Sequence, residues 1–182
     1  MEEDQPSLQS HVVKWGLIIG IIGIILALVI YMIDVKMMVG FTYILLSLGI
    51  SIALIIYAGI EWRKSTGGFL TFKNAFLVTF FTLVVAGLLG TVFNFLLFNV
   101  IDTELGETLT DASIEQAERI MERFNMPEDQ MDEALEKARD DAEGRFSIGG
   151  QLMGFVYALF IYAFIALIVS LIIKKKNPEE EI

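Results

Sequence analysis

Four long stretches of this sequence contain no Lys, Arg, Asp, Glu or His: Trp15 to Ile33, Met37 to Ile60, Ala75 to Ile101 and Ile148 to Ile173. No other feature limits the possible folds as much. An amphipathic helix of a soluble core keeps a polar face, and these stretches have none. The shortest has 19 residues, about 28 Å of α-helix at roughly 1.5 Å per residue, which matches a hydrocarbon layer about 30 Å thick. The expected fold class is all-α: an integral membrane four-helix bundle. A mean hydropathy of +0.64 agrees. The first run is expected to stay as a permanent span. MEEDQ is acidic where a signal peptide is basic, and bulky Tyr31, Met32 and Ile33 stand where a cleavage site needs small residues.

The runs divide the chain. Residues 1–14 are an N-terminal tail, 15–33, 37–60, 75–101 and 148–173 are the spans, and 61–74 is a loop. Residues 102–147 form an insert and 174–182 a C-terminal tail. Four spans put both termini on one side. Among the short segments, Lys14, Arg63, Lys64, Lys73, Lys174, Lys175 and Lys176 fall on that side and only Lys36 on the other; the five basic residues of the insert lie mostly far from the span ends. The excess of positive charge places the termini in the cytoplasm and the insert outside it.

The insert holds 15 acidic and 5 basic residues, so it accounts for the whole net charge of −10. It is expected to be an acidic two-helix extramembrane hairpin between spans three and four. Ile114, Ala117, Ile120, Met121 and Phe124 recur at helical spacing, as do Met131, Ala134, Leu135, Ala138 and Ala142. Asp111 is the expected N-cap of the first helix. Asn125 and Pro127 are expected to end it and begin the next. Glu115 with Arg119, and Glu133 with Lys137, are i,i+4 pairs contributing about 0.2–0.5 kcal/mol each. Two short helices bury little core of their own. Ile114, Ile120, Met121, Phe124, Met131 and Leu135 are therefore the residues expected to meet a partner, either a second copy or another membrane protein. Asp140, Asp141 and Glu143 lack the carboxylate spacing of a calcium loop and read as a solvated surface. No metal site and no cofactor is expected.

Inside the spans, small or polar residues recur in fours. Gly16, Gly20, Gly23 and Ala27 mark span one. Thr82, Ala86, Gly90 and Asn94 mark span three, and Gly150, Gly154 and Ala158 mark span four. Such stripes let helix backbones approach closely, which lipid-exposed leucine does not favour. The span-three stripe also suggests the alternative function, a small channel or carrier with its path along that face. Against this, no span carries an ionisable residue or a proline. Trp15 and Trp62 with Arg63, Lys64 and Lys174 to Lys176 are expected to anchor the span ends at the lipid headgroups.

Catalytic chemistry has few candidates. There is no cysteine, and His11, the single histidine, is expected to be solvated in the tail. No zinc-protease, nucleophile-elbow, phosphate-loop or dinucleotide motif occurs. The chain is therefore expected not to be an enzyme. The basic cluster at a span end does not suit nucleic acid.

The stretch RKSTGGFLTFKNAF, the exit VIDTEL and the terminal lysines resemble a bacterial membrane family called domain of unknown function 4199. The matching residues are Gly67, Gly68, Phe72, Ala75, Phe76, Asp102 and Lys174 to Lys176, within a likeness running roughly from residue 10 to 176. Where that family often has proline after the span-three exit, this chain has Thr103. The resemblance implies four spans in a bacterial inner membrane. It implies no activity, so no functional residue is carried over. Independently, Gly67 and Gly68 suit a reversal that needs positive φ, and Thr71 suits the cap of span three.

Overall fold

Each uncharged run lies largely within one long helix. The structure, a computed structural model, describes residues 7–177. Among these the chain is all-α, with six α-helices and no strand: α1 Leu8–Ile33, α2 Phe41–Ser65, α3 Phe72–Leu96, α4 Leu105–Arg123, α5 Glu128–Arg145 and α6 Ile148–Ile173. A 3-10 turn, Val35–Val39, links α1 to α2, and a π-helical turn, Leu97–Ile101, extends α3. Four helices are long and apolar enough to cross a membrane: α1, α2, α3 with its extension, and α6. Their outward faces are built for lipid. Leu152, Phe160, Phe164, Leu171 and Ile172 stand exposed along α6, an apolar area that water would penalise and hydrocarbon would not.

Several boundaries differ from the sequence reading. Span two begins at Phe41 rather than Met37 and runs on to Ser65, and α3 starts at Phe72, so both ends of the expected 61–74 loop are helical. α1 starts at Leu8, well before Trp15, so residues 8–14 of the expected tail are helix. α4 starts at Leu105 rather than after Asp111. Leu105 and Leu109 are buried and extend the apolar face of α4 backward, so Asp111 lies in mid-helix.

The described chain divides into two compact units. One takes in residues through Ile24, Ser47–Gly90 and the chain from Phe155 onward; the other takes in Ile25–Leu46 and Thr91–Gly154. In the first, Ile55, Ala75, Val78, Val169 and Ile173 are buried with Ile19, Trp62, Leu70 and Leu83. Glycine makes this packing possible. A Cβ on Gly59 would strike the Ile173 side chain, and one on Gly87 would strike the Tyr162 ring. Ser170, fully buried, donates to the Ala166 carbonyl of its own helix. The hydroxyls of Thr79 and Thr82 are buried without a partner. The second unit is centred on Leu97, Leu105 and Leu109, packed by Tyr31, Met38, Phe93, Phe98 and Phe146.

The α2–α3 connection follows from its glycines. Gly67 and Gly68 have φ of +86° and +85°, and Gly68 N–H donates to Arg63 O at 2.9 Å, closing α2 as left-handed C-caps do. Thr71 Oγ1 accepts from Asn74 N–H at 3.4 Å at the start of α3. Leu70 and Lys175 exchange two backbone hydrogen bonds of 2.8 and 2.9 Å.

Candidate functional site

The α4–α5 pair carries half of the charged residues of the chain, and its geometry is set at its root. Tyr31 Oη donates to Asp102 Oδ2 at 2.8 Å. Asp34 caps the 3-10 turn by accepting from Lys36 N–H at 2.9 Å. Lys36 Nζ then reaches Glu115 Oε2 at 3.3 Å, and Arg119 meets the other oxygen of Glu115 at 3.4 Å. Arg139 pairs with Asp111 at 3.7 Å, joining α5 to α4. All of these ion pairs are well exposed, so each contributes at most about 1 kcal/mol. The apolar root holds more firmly. Phe98 and Phe146 lie 5.1 Å apart between ring centroids. A Cβ on Gly106 would stand 3.2 Å from Phe146, so that helix–turn contact is close.

The turn between α4 and α5 is closed by a full left-handed cap. Met126 N–H donates to Met121 O at 3.1 Å and Asn125 N–H to Glu122 O at 2.9 Å. Asn125 has φ +52°, the pattern of a Schellman motif with asparagine at its left-handed position. Of the six residues expected to meet a partner, Ile114, Met121, Met131 and Leu135 are half-buried. Ile120 and Phe124 are exposed, at 47% and 80%. Ile120 borders a cavity of about 480 Å³ whose walls include Lys36, Phe41, Glu115, Arg119 and Arg123. This face carries three basic groups to one acidic group, although the insert as a whole is acidic. Three-to-four spacing along α4 (Ile120 beside Arg119 and Arg123, Glu115 one turn back) is the sequence signal for it. The side chains of Asp141 and Glu143 lie outside the described residues. Among the described residues no group of three His, Asp or Glu side chains is placed to hold a metal ion.

The small-residue stripes are used unevenly. A Cβ on Gly16 would meet the Val85 side chain and stand 3.1 Å from Thr82 O; one on Gly20 would meet Leu89 and stand 3.3 Å from Ala86 O. The stripe of α1 therefore lies against Thr82 and Ala86 of α3. Gly23, Gly90 and Gly154 face open space, and Gly150 is crowded by the Gly144 and Arg145 carbonyls just before α6. Asn94 is exposed. Gly59 and Gly87, which do support close packing, were missed because stepping in fours from the polar residues passes over them.

His11 requires a correction. It is 5% exposed, and its Nε2 lies 2.9 Å from the Ala58 carbonyl, so Nε2 carries the proton and donates. The reason is the early start of α1, which puts His11 one turn before Trp15 on the same face. Its ring lies 5.0 Å from Trp62 and 6.4 Å from Trp15. Glu61 accepts from Lys14 Nζ at 2.9 Å and from Trp15 Nε1–H at 3.3 Å, and Trp15 meets Tyr57 edge-on at 5.3 Å. Trp15 and Trp62 are buried against these neighbours. Arg63 donates to the Ile173 carbonyl at 2.9 Å. Lys64 sits in the last turn of α2. Lys174 and Lys175 lie over Phe72 and Phe69 at 5.9 and 5.6 Å, and with Lys176 they line a second cavity, distinct from the one beside Ile120.

A family model described as a protein of unknown function (DUF4199) matches residues 14–175, most of the chain. No curated protein and no solved structure matches.

Proposed function

This chain belongs to the DUF4199 family, and from that premise we propose that it is a non-enzymatic interaction module of a bacterial inner membrane. The termini face the cytoplasm, and α4–α5 stands outside as a hairpin that docks a partner, either another membrane protein or a second copy. One observation carries the reading. Ile120 and Phe124 are exposed at the turn of a helix pair whose root is packed and whose turn is fully capped. Ordered, exposed apolar side chains surrounded by charge are what protein-binding surfaces present. The orientation rests on the distribution of Lys and Arg among the short loops.

The channel alternative draws no support from packing. Thr82 is wholly buried, and Gly16 and Gly20 close against Thr82 and Ala86, so that part of the face of α3 is occupied. The test is photocrosslinking from position 124 in native membranes. One defined partner, or the chain itself, is the expected product, and it disappears when I120S is added to the crosslinker-bearing chain. Absence of any specific product from the unsubstituted helix pair contradicts the proposal.

A further inference from the structure

A second surface, in the other unit, has its own chemistry. A cavity of about 790 Å³ lies where α1 begins, α2 ends, α3 begins and α6 ends; Leu8, Thr66, Thr71, Phe72 and Lys174 to Lys176 are among its walls. We propose that it binds the headgroup of an anionic phospholipid.

Three kinds of observation converge. The cavity contains three lysines and, among its described lining residues, no carboxylate. Two of those ammonium groups are held in place, Lys174 over the Phe72 ring and Lys175 over the Phe69 ring. The backbone beneath them is fixed by the paired hydrogen bonds between Leu70 and Lys175. Leu8, Trp62, Phe69, Leu70 and Phe72 give the wall an apolar part, beside the polar Thr66, Thr71, Asn74 and Asn177. A soluble phosphate would gain from the lysines and the polar side chains. A phospholipid would gain from the aromatic wall as well, through its glycerol and upper acyl chains. The four helices that bound the cavity are those long and apolar enough to cross a membrane, so the site lies at their ends, where headgroups are found. Basic pockets between helix ends are a recurrent mode of anionic lipid recognition.

The experiment uses the full chain in nanodiscs of phosphatidylcholine mixed with phosphatidylglycerol, followed by native mass spectrometry of the retained lipid. Wild type is expected to retain phosphatidylglycerol over phosphatidylcholine by roughly tenfold or more. K174Q/K175Q is expected to lose that preference. K64Q/K73Q removes the same charge from residues outside the cavity wall and is expected to keep it. Both substitutions leave the Leu70–Lys175 backbone bonds intact. Glu179, Glu180 and Glu181 follow the lysines and are retained in every protein compared. Three results overturn the proposal: no preference in wild type, equal loss in both double variants, or displacement of phosphatidylglycerol by inorganic phosphate. The wild-type and phosphate arms decide the matter even if K174Q/K175Q folds poorly.

Discussion

His11, near the start of α1, donates a 2.9 Å hydrogen bond to the backbone carbonyl of Ala58, near the end of α2. The bond ties two helices at one level, and the rings of Trp15 and Trp62 flank it. Just beside it, Glu61 gathers Lys14 and Trp15. A short polar network is thus built where each helix passes from charged to apolar sequence.

Removing that bond should weaken the fold measurably. H11A deletes a buried donor and leaves a hole between two indoles, so a loss of about 1–3 kcal/mol is expected. Thermal unfolding in detergent should show a lower midpoint for H11A and a smaller shift for H11Q, which keeps an N–H donor. An unchanged midpoint in H11A would show that His11 is solvated after all.

Glycine substitutions should sort by surroundings rather than by motif. G59V and G87V force a side chain into Ile173 or Tyr162 and should cost about 1–3 kcal/mol through overpacking. G23A and G154A meet nothing within 4 Å. They should be neutral or slightly stabilising, since alanine in a helix interior is better than glycine by about 1 kcal/mol or less. Denaturant unfolding of the four variants in one detergent measures the ordering; equal effects in both pairs would contradict it.

These glycines show how far the residues alone could be read. Lack of charge marked the four long helices, because lipid leaves no alternative partner for their backbone groups. α6 begins and ends where its uncharged run does. Facing was not legible. Every side of these helices is apolar, so nothing in one helix says which side meets a neighbour. Gly16 and Gly20 turned inward while Gly23 turned out. His11 was missed for a related reason: polar residues before an apolar run read as tail, and only the position of α2 shows that the helix had already begun. The glycine reversal was legible because it depends on local chemistry: Gly67 and Gly68 both have positive φ. Asn125 was legible as a helix end, and its left-handed φ emerged only from the structure.

The Asn125 turn gives a sharp local test. N125G should leave the α4–α5 pair intact or slightly steadier, because glycine takes positive φ without penalty. N125V should cost about 1–2 kcal/mol, the usual penalty for a left-handed residue with a crowded Cβ. Amide hydrogen exchange of Met126 and Asn125 should speed up in N125V and not in N125G. The same exchange rate in both would mean that the cap does not hold the turn.

The measurement closest to the central claim is the side of the membrane on which each segment lies. The chain has no cysteine, so single cysteines can be placed cleanly: F124C at the α4–α5 turn, and K64C and S10C at the opposite helix ends. With a membrane-impermeant maleimide on intact spheroplasts, F124C should label at once. K64C and S10C should label only after permeabilisation. Labelling of all three from the same side, or recovery of the chain in the soluble fraction, would contradict the account.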